Sequence, residues 1–186
     1  DRSYTIPYDD SIKKYKKQVP APNKTSWNQT DHKYEMRLRV EDMAGNITIV
    51  DKNHTSFGSK MMLRVLEKTP PMITITKPAA GAYLGSNAVT IEFTVTDSES
   101  GVDQNTITLQ IDSQAAATDE ITKTPIANGY KCTYQATIKD GGHTIKVDAK
   151  DNDDNAAVQK TTTFTVDTVP PELNVSSPSG TLITNK

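Results

Sequence analysis

Apolar residues recur at every second position in several short runs between residues 73 and 166, and Gly, Pro, Asn and Asp separate the runs. The residues in between are mainly Thr, Lys, Glu and Asp, and this period of two is typical of strands with one buried face. The predicted inward-facing residues are Ile73 and Ile75; Val89, Ile91, Phe93 and Val95; Ile107, Leu109 and Ile111; Tyr130, Cys132, Tyr134, Ala136 and Ile138; Ile145, Val147 and Ala149; and Phe164 and Val166.

About seven short antiparallel strands in about 100 residues predict an all-β fold of the immunoglobulin-like sandwich type. The segment "DGGHTIKVDAKDNDDN" at 140–155 aligns without gaps on "DHKYEMRLRVEDMAGN" at 31–46, and the proline pair at 70–71 recurs at 170–171. This repeat predicts tandem sandwiches. We expect an incomplete or divergent unit over 1–69, a complete unit over 70–169, and the opening strand of a further unit over 170–186.

Three segments carry a resemblance to a known family: "TPPMITITKPAAGAYLGSNAVTIEFTVTDSESGV", "DGGHTIKVDAKDNDDNAA" and "FTVDTVPP". They resemble the bacterial immunoglobulin-like repeats of large secreted, cell-surface and phage-tail proteins, whose units end in an Asp-x-Ala-Gly-Asn turn. The first copy matches that turn at 42–46, "DMAGN", whereas Asp153 and Asp154 stand where the family has Ala and Gly. The resemblance implies a non-catalytic setting of adhesion, spacing or virion decoration.

We therefore expect a spacer or presentation segment of a larger surface protein, outside the cell or on its surface, with a phage virion as the alternative location. Three other functions stay open: an adhesin for a glycan or an anionic wall polymer, a phage-tail decoration module, and an accessory module of a secreted hydrolase. The partner would be a protein or glycan on a cell or virion surface, and the segment is expected to be monomeric.

Composition narrows these classes further. The net charge of −2 argues against nucleic-acid binding, which relies on many Lys and Arg contacts with phosphate. The single cysteine, Cys132, excludes an intrachain disulfide, and its place among the apolar positions predicts a buried, unreactive thiol. No run approaches the roughly 20 apolar residues of a membrane span, so any anchor or leader is expected outside this sequence.

The sequence carries no constellation typical of an enzyme. Its three histidines, His32, His54 and His143, are scattered, and there is no glycine-rich phosphate loop, nucleophile elbow or metal-spaced histidine pair. We predict that the segment is not an enzyme and has no organic cofactor. His143 opens one predicted strand, where an edge or packing role is expected.

Calcium is the candidate ligand. In an immunoglobulin-like topology the loop after the second strand and the loop before the last strand share one pole, where the preceding unit also attaches. Hard carboxylate oxygens gathered there suit Ca²⁺, and the linker residue Glu67 would lie close by. The candidate ligands are Asp97, Glu99, Asp151, Asp153 and Asp154.

A tight turn is the alternative interpretation of this acidic run. Asp151 and Asn155 recur as Asp42 and Asn46, which suits a turn held by an Asp side chain, and Asp154 takes a glycine-like position. Lys68 would then neutralise the pole without a metal.

Two further hypotheses depend on lysines. The basic run "IKKYKK" at 12–17, with aromatic residues around it, is a candidate surface for an anionic polymer or a glycan; Tyr4, Ile6 and Tyr8 also alternate as core residues do. Lys77 and Lys160 fall on the same alternate positions as the inward-facing residues of their strands. This placement makes them candidates for an isopeptide cross-link, which requires an inward-facing lysine.

Overall fold

The computed structural model describes residues 2–174, and within this range the chain is all-β. Its helical elements there are two short 3₁₀ turns, Thr30–His32 and Gly58–Met61. No helix among these residues is long and apolar enough to cross a membrane. The all-β prediction is confirmed.

Residues 72–166 form a two-layered sandwich of nine strands. The strands are β7 (Met72–Lys77), β8 (Ala82–Leu84), β9 (Ala88–Thr96), β10 (Val102–Ile111), β11 (Gln114–Ala115), β12 (Thr122–Ile126), β13 (Gly129–Thr137), β14 (Gly141–Asp151) and β15 (Lys160–Val166). One sheet has the order β12-β13-β9-β7, and the other has the order β11-β10-β14-β15-β8. All pairs are antiparallel except the parallel pair of β15 with β8.

The core lies between the two sheets, and every residue predicted to face inward belongs to it or packs against it. Phe93 and Phe164 are the largest of the fully buried side chains. Fully burying an aliphatic or aromatic side chain contributes roughly 1.5–3 kcal/mol, so this core does not depend on a disulfide. Burial raises the pKa of the Cys132 thiol to about 11, which keeps it protonated and unreactive as predicted.

The sandwich has three strands beyond the six whose inward-facing residues the sequence predicts, and all three lie at sheet edges. Strands β8 and β11 are three and two residues long, too short to show an alternating pattern. Strand β12 contains Pro125, which lacks an N–H and is therefore tolerated at the edge of a sheet but weakens a prediction of strand.

A register shift in β7 changes which face of the sheet Lys77 occupies. The pairing of β7 with β9 shifts between Ile75 and Lys77, so the alternation of faces breaks there. Lys77 consequently faces solvent and pairs with Glu92 at 2.7 Å, and Lys160 is exposed as well. Lys160 keeps the parity of Phe164 and Val166, but as the first residue of β15 it lies outside the core, so neither lysine has the burial expected for an isopeptide cross-link.

Residues 2–69 form three two-stranded ribbons. Strand β1 (Tyr8–Asp9) pairs with β2 (Lys14–Tyr15), β3 (Tyr34–Glu35) pairs with β6 (Met62–Leu63), and β4 (Leu38–Glu41) pairs with β5 (Ile47–Val50). The core side chains of the described chain all lie between residues 73 and 166.

The prediction that Tyr4, Ile6 and Tyr8 are core residues was wrong, because all three are exposed. Residues 170–174 carry no strand, and the rest of the opening strand predicted over 170–186 lies outside the described residues. The boundaries of the three units stay predictions.

Candidate functional site

Two loops of the sandwich meet at one pole, as the topology predicts. The first loop, 97–101, joins β9 to β10, and the second, 152–159, joins β14 to β15. Asn152 connects them: its backbone N–H donates to the Gly101 carbonyl at 3.0 Å, and its side chain donates to the Ser100 carbonyl at 2.9 Å. We call this end of the sandwich the entry pole, because the linker arrives here. The linker is the segment 64–71, which connects the last strand of the preceding residues to the first strand of the sandwich.

Each loop is organised by one aspartate. Asp97 Oδ1 accepts from the N–H groups of Glu99 and Gly101 at 2.9 and 2.8 Å. Asp151 Oδ1 accepts from those of Asp153 and Asn155 at 2.9 and 2.8 Å. In both loops the carboxylate satisfies backbone groups two and four residues further on, as Asp does in tight turns.

The turn of the first copy has the same geometry. Asp42 Oδ1 accepts from the N–H groups of Ala44 and Asn46 at 2.9 and 2.8 Å, and the Asn46 side chain donates to Asp42 Oδ2 at 2.7 Å. The turn geometry predicted for Asp151 and Asn155 is therefore confirmed. Gly45 has a φ of +86° and its counterpart Asp154 a φ of +72°, so Asp154 does occupy a glycine-like position.

The linker residue Glu67 is hydrogen-bonded at the entry pole through its N–H, its carbonyl and one of its carboxylate oxygens. Its Oε1 accepts from the Ser100 N–H at 2.6 Å, its N–H donates to Asp153 Oδ2 at 3.1 Å, and its carbonyl accepts from the Asn155 side chain at 3.3 Å. Thr25 Oγ1 also donates to Asp153 Oδ2, at 2.6 Å. Asp153 therefore fixes two segments of residues 2–69 to the sandwich.

Three carboxylates come together beside this linker. One oxygen each from Glu67, Asp97 and Asp151 lies within 4.8 Å of the other two. The three residues are only 7%, 7% and 2% exposed. Burial raises the pKa of Glu67 above its ordinary value, and the negative charges of Asp97 and Glu99 raise it further, although the Ser100 hydrogen bond opposes them. We call Glu67, Asp97 and Asp151 the acidic cluster.

The other predicted ligands lie outside the acidic cluster. Asp153 is buried, but its oxygens face Thr25, the linker N–H and Arg64, whose Nη2 lies 3.5 Å from Asp153 Oδ1. Asp154 points into solvent, with its side chain 89% exposed, and pairs with Lys150 at 3.2 Å. Glu99 is exposed, and its carbonyl accepts from the Asn28 side chain at 3.2 Å.

Sequence reasoning missed Thr25 and Ser100. Thr25 lies in a segment without strand periodicity, so nothing in the sequence indicates its contact with a residue 128 positions away. Ser100 is buried to 1% exposure beside Glu67, and its Oγ has no hydrogen-bond partner in the described part of the chain. An open groove of about 380 Å³ adjoins this point, with Trp27, Asp97 and Tyr130 among its lining residues.

Other polar residues of the sandwich have structural roles. His143 donates from Nδ1 to Asp112 Oδ2 at 2.6 Å and from Nε2 to the Lys139 carbonyl at 2.7 Å, and its ring packs 5.5 Å from that of Phe164. His32 stacks on Trp27 with ring centroids 3.9 Å apart. The expected packing role of His143 is thus confirmed.

The sandwich and its loop pole give residues 72–166 an immunoglobulin-like fold. Residues 71–147, less than half of the chain, match the family described as Bacterial Ig domain, which confirms the resemblance drawn from the sequence motifs. A comparison with curated proteins finds no match.

Several solved structures are similar to part of the chain. The fibronectin(III)-like modules of CbhA from Clostridium thermocellum match 51% of this chain and 96% of that chain at 20% identity and a TM-score of 0.38. The SrpA adhesin from Streptococcus sanguinis matches 56% of this chain and 60% of that chain at 18% identity and a TM-score of 0.41. CopC from Methylosinus trichosporium OB3b matches 56% of this chain and 99% of that chain at 18% identity and a TM-score of 0.38. Similarity at this level assigns no function to the chain.

Proposed function

We propose that the chain is a non-catalytic spacer and presentation segment of a larger bacterial surface protein. The match to bacterial Ig domains supports a modular role, because such modules are typically non-catalytic. The proposal places the segment outside the cell or on its surface, where a row of modules would hold another domain at a distance.

One observation carries this proposal: the chain enters and leaves the sandwich at opposite ends. It enters beside Asp151, the last residue of β14. It leaves beside Asp140, which precedes β14, where Asp140 Oδ1 accepts from the Thr168 hydroxyl at 2.9 Å. Strand β14 has 11 residues, which corresponds to about 35 Å at roughly 3.3 Å per residue. Modules joined in this way extend along a line.

The connections at both ends limit bending. At the entry pole Glu67 is hydrogen-bonded through its backbone and its side chain, and the next residues on the chain include the pair Pro70-Pro71. At the exit the pair Pro170-Pro171 follows two residues after Thr168. Proline fixes φ and biases the preceding residue toward extended backbone, which favours a straight array over a folded-back one.

Small-angle X-ray scattering of the whole chain tests the proposal. A compact globule of 186 residues has a radius of gyration of about 16 Å. We expect a clearly larger radius and a pair-distance distribution with the long tail of an elongated particle. A radius of about 16 Å would contradict a spacer function.

Adhesion to a glycan or anionic polymer is a second candidate, favoured by the hairpin of β1 and β2. Tyr8 and Tyr15 are exposed with ring centroids 5.1 Å apart, and Lys17 Nζ lies 5.7 Å from the centre of the Tyr4 ring. Exposed aromatic rings beside lysines suit sugars and anions. The adhesin would retain purified wall polymer or arrayed glycans, and Tyr15→Ser would abolish this retention. Tyr83→Ser, an exposed tyrosine of the sandwich, is the matched control.

A further inference from the structure

The acidic cluster has the dimensions of a calcium site. Calcium binds oxygen ligands at about 2.3–2.6 Å, so two ligands on opposite sides of one ion are about 4.8 Å apart. The oxygens of Glu67, Asp97 and Asp151 lie within 4.8 Å of one another, and a single ion can therefore touch all three. The loop at 97–101, the last residue of β14 and the linker each supply one of these carboxylates.

Unpaired buried oxygen atoms at the same place point independently to a missing partner. Glu67 Oε2 is buried and has no hydrogen-bond partner among residues 2–174, and the same is true of Ser100 Oγ. Both residues are more than nine-tenths buried, and they are already linked by the bond from the Ser100 N–H to Glu67 Oε1. Buried polar atoms are nearly always satisfied. A cation and its bound water would satisfy both.

Among residues 2–174, no side chain provides a cation for this cluster. Within the described residues, two ion pairs lie near the entry pole: Arg64 pairs with Asp153, and Lys150 pairs with Asp154. No Lys, Arg or His lies within 4.0 Å of a carboxylate oxygen of Glu67, Asp97 or Asp151 in the same range. Lys68, the residue expected to neutralise the pole, is exposed and forms no such pair there.

The type of ligand atom favours calcium over other metals. The cluster offers oxygen atoms alone, whereas zinc and copper sites use His nitrogen or Cys sulfur. Magnesium requires near-octahedral geometry at about 2.0–2.1 Å. Calcium accepts irregular shells of six to eight oxygens, such as loops, a hydroxyl and water provide.

We propose that Glu67, Asp97 and Asp151 bind one calcium ion, with Ser100 Oγ and water completing its shell. The ion ties the linker to both loops of the entry pole. Asp153 contributes from outside the shell by holding the linker backbone, which keeps Glu67 in place. Calcium binding does not depend on the proposed spacer function, but its consequence does: in a spacer, the ion stiffens the joint between neighbouring modules.

Direct titration of the whole chain tests the binding. After treatment with chelator, isothermal titration with Ca²⁺ is expected to show one site with a Kd of about 10⁻⁴–10⁻³ M, the range of many extracellular modules. Trp27, the single tryptophan, lines the same groove as Asp97, so Tb³⁺ bound at the cluster is expected to emit when tryptophan is excited. Added Ca²⁺ is expected to displace Tb³⁺ and to raise the melting temperature.

Three variants make the test specific. Glu67→Gln and Asp97→Asn keep a side-chain oxygen for the backbone N–H groups but remove a charge, and each is expected to weaken Ca²⁺ binding about tenfold or more. Asp154→Asn removes a neighbouring charge that points away from the cluster, and it is expected to bind Ca²⁺ as the unsubstituted chain does. Circular dichroism of each variant reports whether it is folded.

The proposal is overturned if the unsubstituted chain gives no Ca²⁺ titration and no displaceable Tb³⁺ emission. It is also overturned if folded Glu67→Gln and Asp97→Asn bind as tightly as Asp154→Asn, or if Mg²⁺ binds as tightly as Ca²⁺. Scattering separates this outcome from the spacer function. An elongated particle without calcium binding contradicts the metal site alone, and a compact particle that binds calcium contradicts the spacer alone.

Discussion

Replacing Glu67 by Gln is expected to stabilise the chain in calcium-free buffer at neutral pH. Burying a carboxylate costs free energy unless positive charge or hydrogen-bond donors satisfy both of its oxygens, and Glu67 Oε2 has no such partner among residues 2–174. Glu67 has instead the carboxylates of Asp97 and Asp151 within 4.8 Å. Glutamine keeps the shape and an oxygen for the Ser100 N–H, and it removes the repulsion.

The size of the effect follows from Coulomb's law. Two unit charges 4.8 Å apart repel by about 3.5 kcal/mol at an effective dielectric constant of about 20, and by about 1 kcal/mol in water. The hydrogen bond from Ser100 becomes a neutral one, which costs about 1 kcal/mol. With two repelling neighbours, the net gain is expected to be at least about 1 kcal/mol. That gain corresponds to a rise in melting temperature of about 2–4 °C for a chain of this size.

A matched substitution on the surface is expected to have the opposite sign. Glu92 lies between Lys77 and Lys131, at 2.7 and 2.8 Å, and their hydrogen bonds lower its pKa to about 2. Glu92→Gln loses both ion pairs and should therefore lower the melting temperature. Thermal melts followed by circular dichroism with excess chelator compare the two variants. The reasoning is refuted if Glu67→Gln lowers the melting temperature as Glu92→Gln does.

Three further predictions concern the sandwich. Phe93→Ala empties the centre of the core and should cost about 3–5 kcal/mol in urea denaturation; a loss below about 1 kcal/mol would contradict the packing. Asp154 has a φ of +72°, so Asp154→Gly should keep or raise the melting temperature and Asp154→Ala should lower it, by about 1 kcal/mol in stability; the reverse order would contradict the glycine-like role. Hydrogen bonding to Asp112 raises the pKa of His143 above 6.5, and the bond to His143 lowers the pKa of Asp112 below 3.8. The pair therefore stabilises the fold most at pH values between the ordinary pKa of Asp and the ordinary pKa of His. The contribution of His143 is lost as the pH rises through its raised pKa. The deficit of Asp112→Asn in melting temperature should thus shrink from about pH 5 to about pH 9, and a constant deficit would contradict the ion pair.

The core of the sandwich was predictable because its strands are long and one-sided. In β9 the residues Val89, Ile91, Phe93 and Val95 alternate with polar ones over nine residues, and the burial in the structure follows that alternation. Strand β12 was not predictable in this way, since an edge strand buries few side chains and Pro125 argues against a strand. Alternation of apolar and polar residues indicates that one face of a strand is buried. It therefore identifies central strands better than edge strands.

The entry pole was predictable from topology, but the distribution of its acids was not. A sandwich places the loops at 97–101 and 152–159 together whatever their sequence, so the proximity of Asp97 and Asp151 followed from the fold. Whether Asp154 points inward depends on the backbone of the turn, where a φ of +72° directs it to solvent. The position of Glu67 depends on its hydrogen bonds with Ser100, Asp153 and Asn155, which no periodic pattern in the sequence indicates.

Comparing the two copies of the turn shows which positions form the loop and which position binds the linker. The turns at 42–46 and 151–155 share the same four-residue spacing and hydrogen bonds, so Asp at the first position and Asn at the last are sufficient for the shape. The third position differs. Ala44 has no side-chain acceptor, whereas Asp153 accepts from the linker N–H and from Thr25. Burying the Asp153 carboxylate requires those donors. A repeat with Ala at the third position keeps the turn but lacks the hydrogen bonds that hold the neighbouring segment. The position that departs from the family pattern is therefore the one that fixes a neighbouring segment to the module.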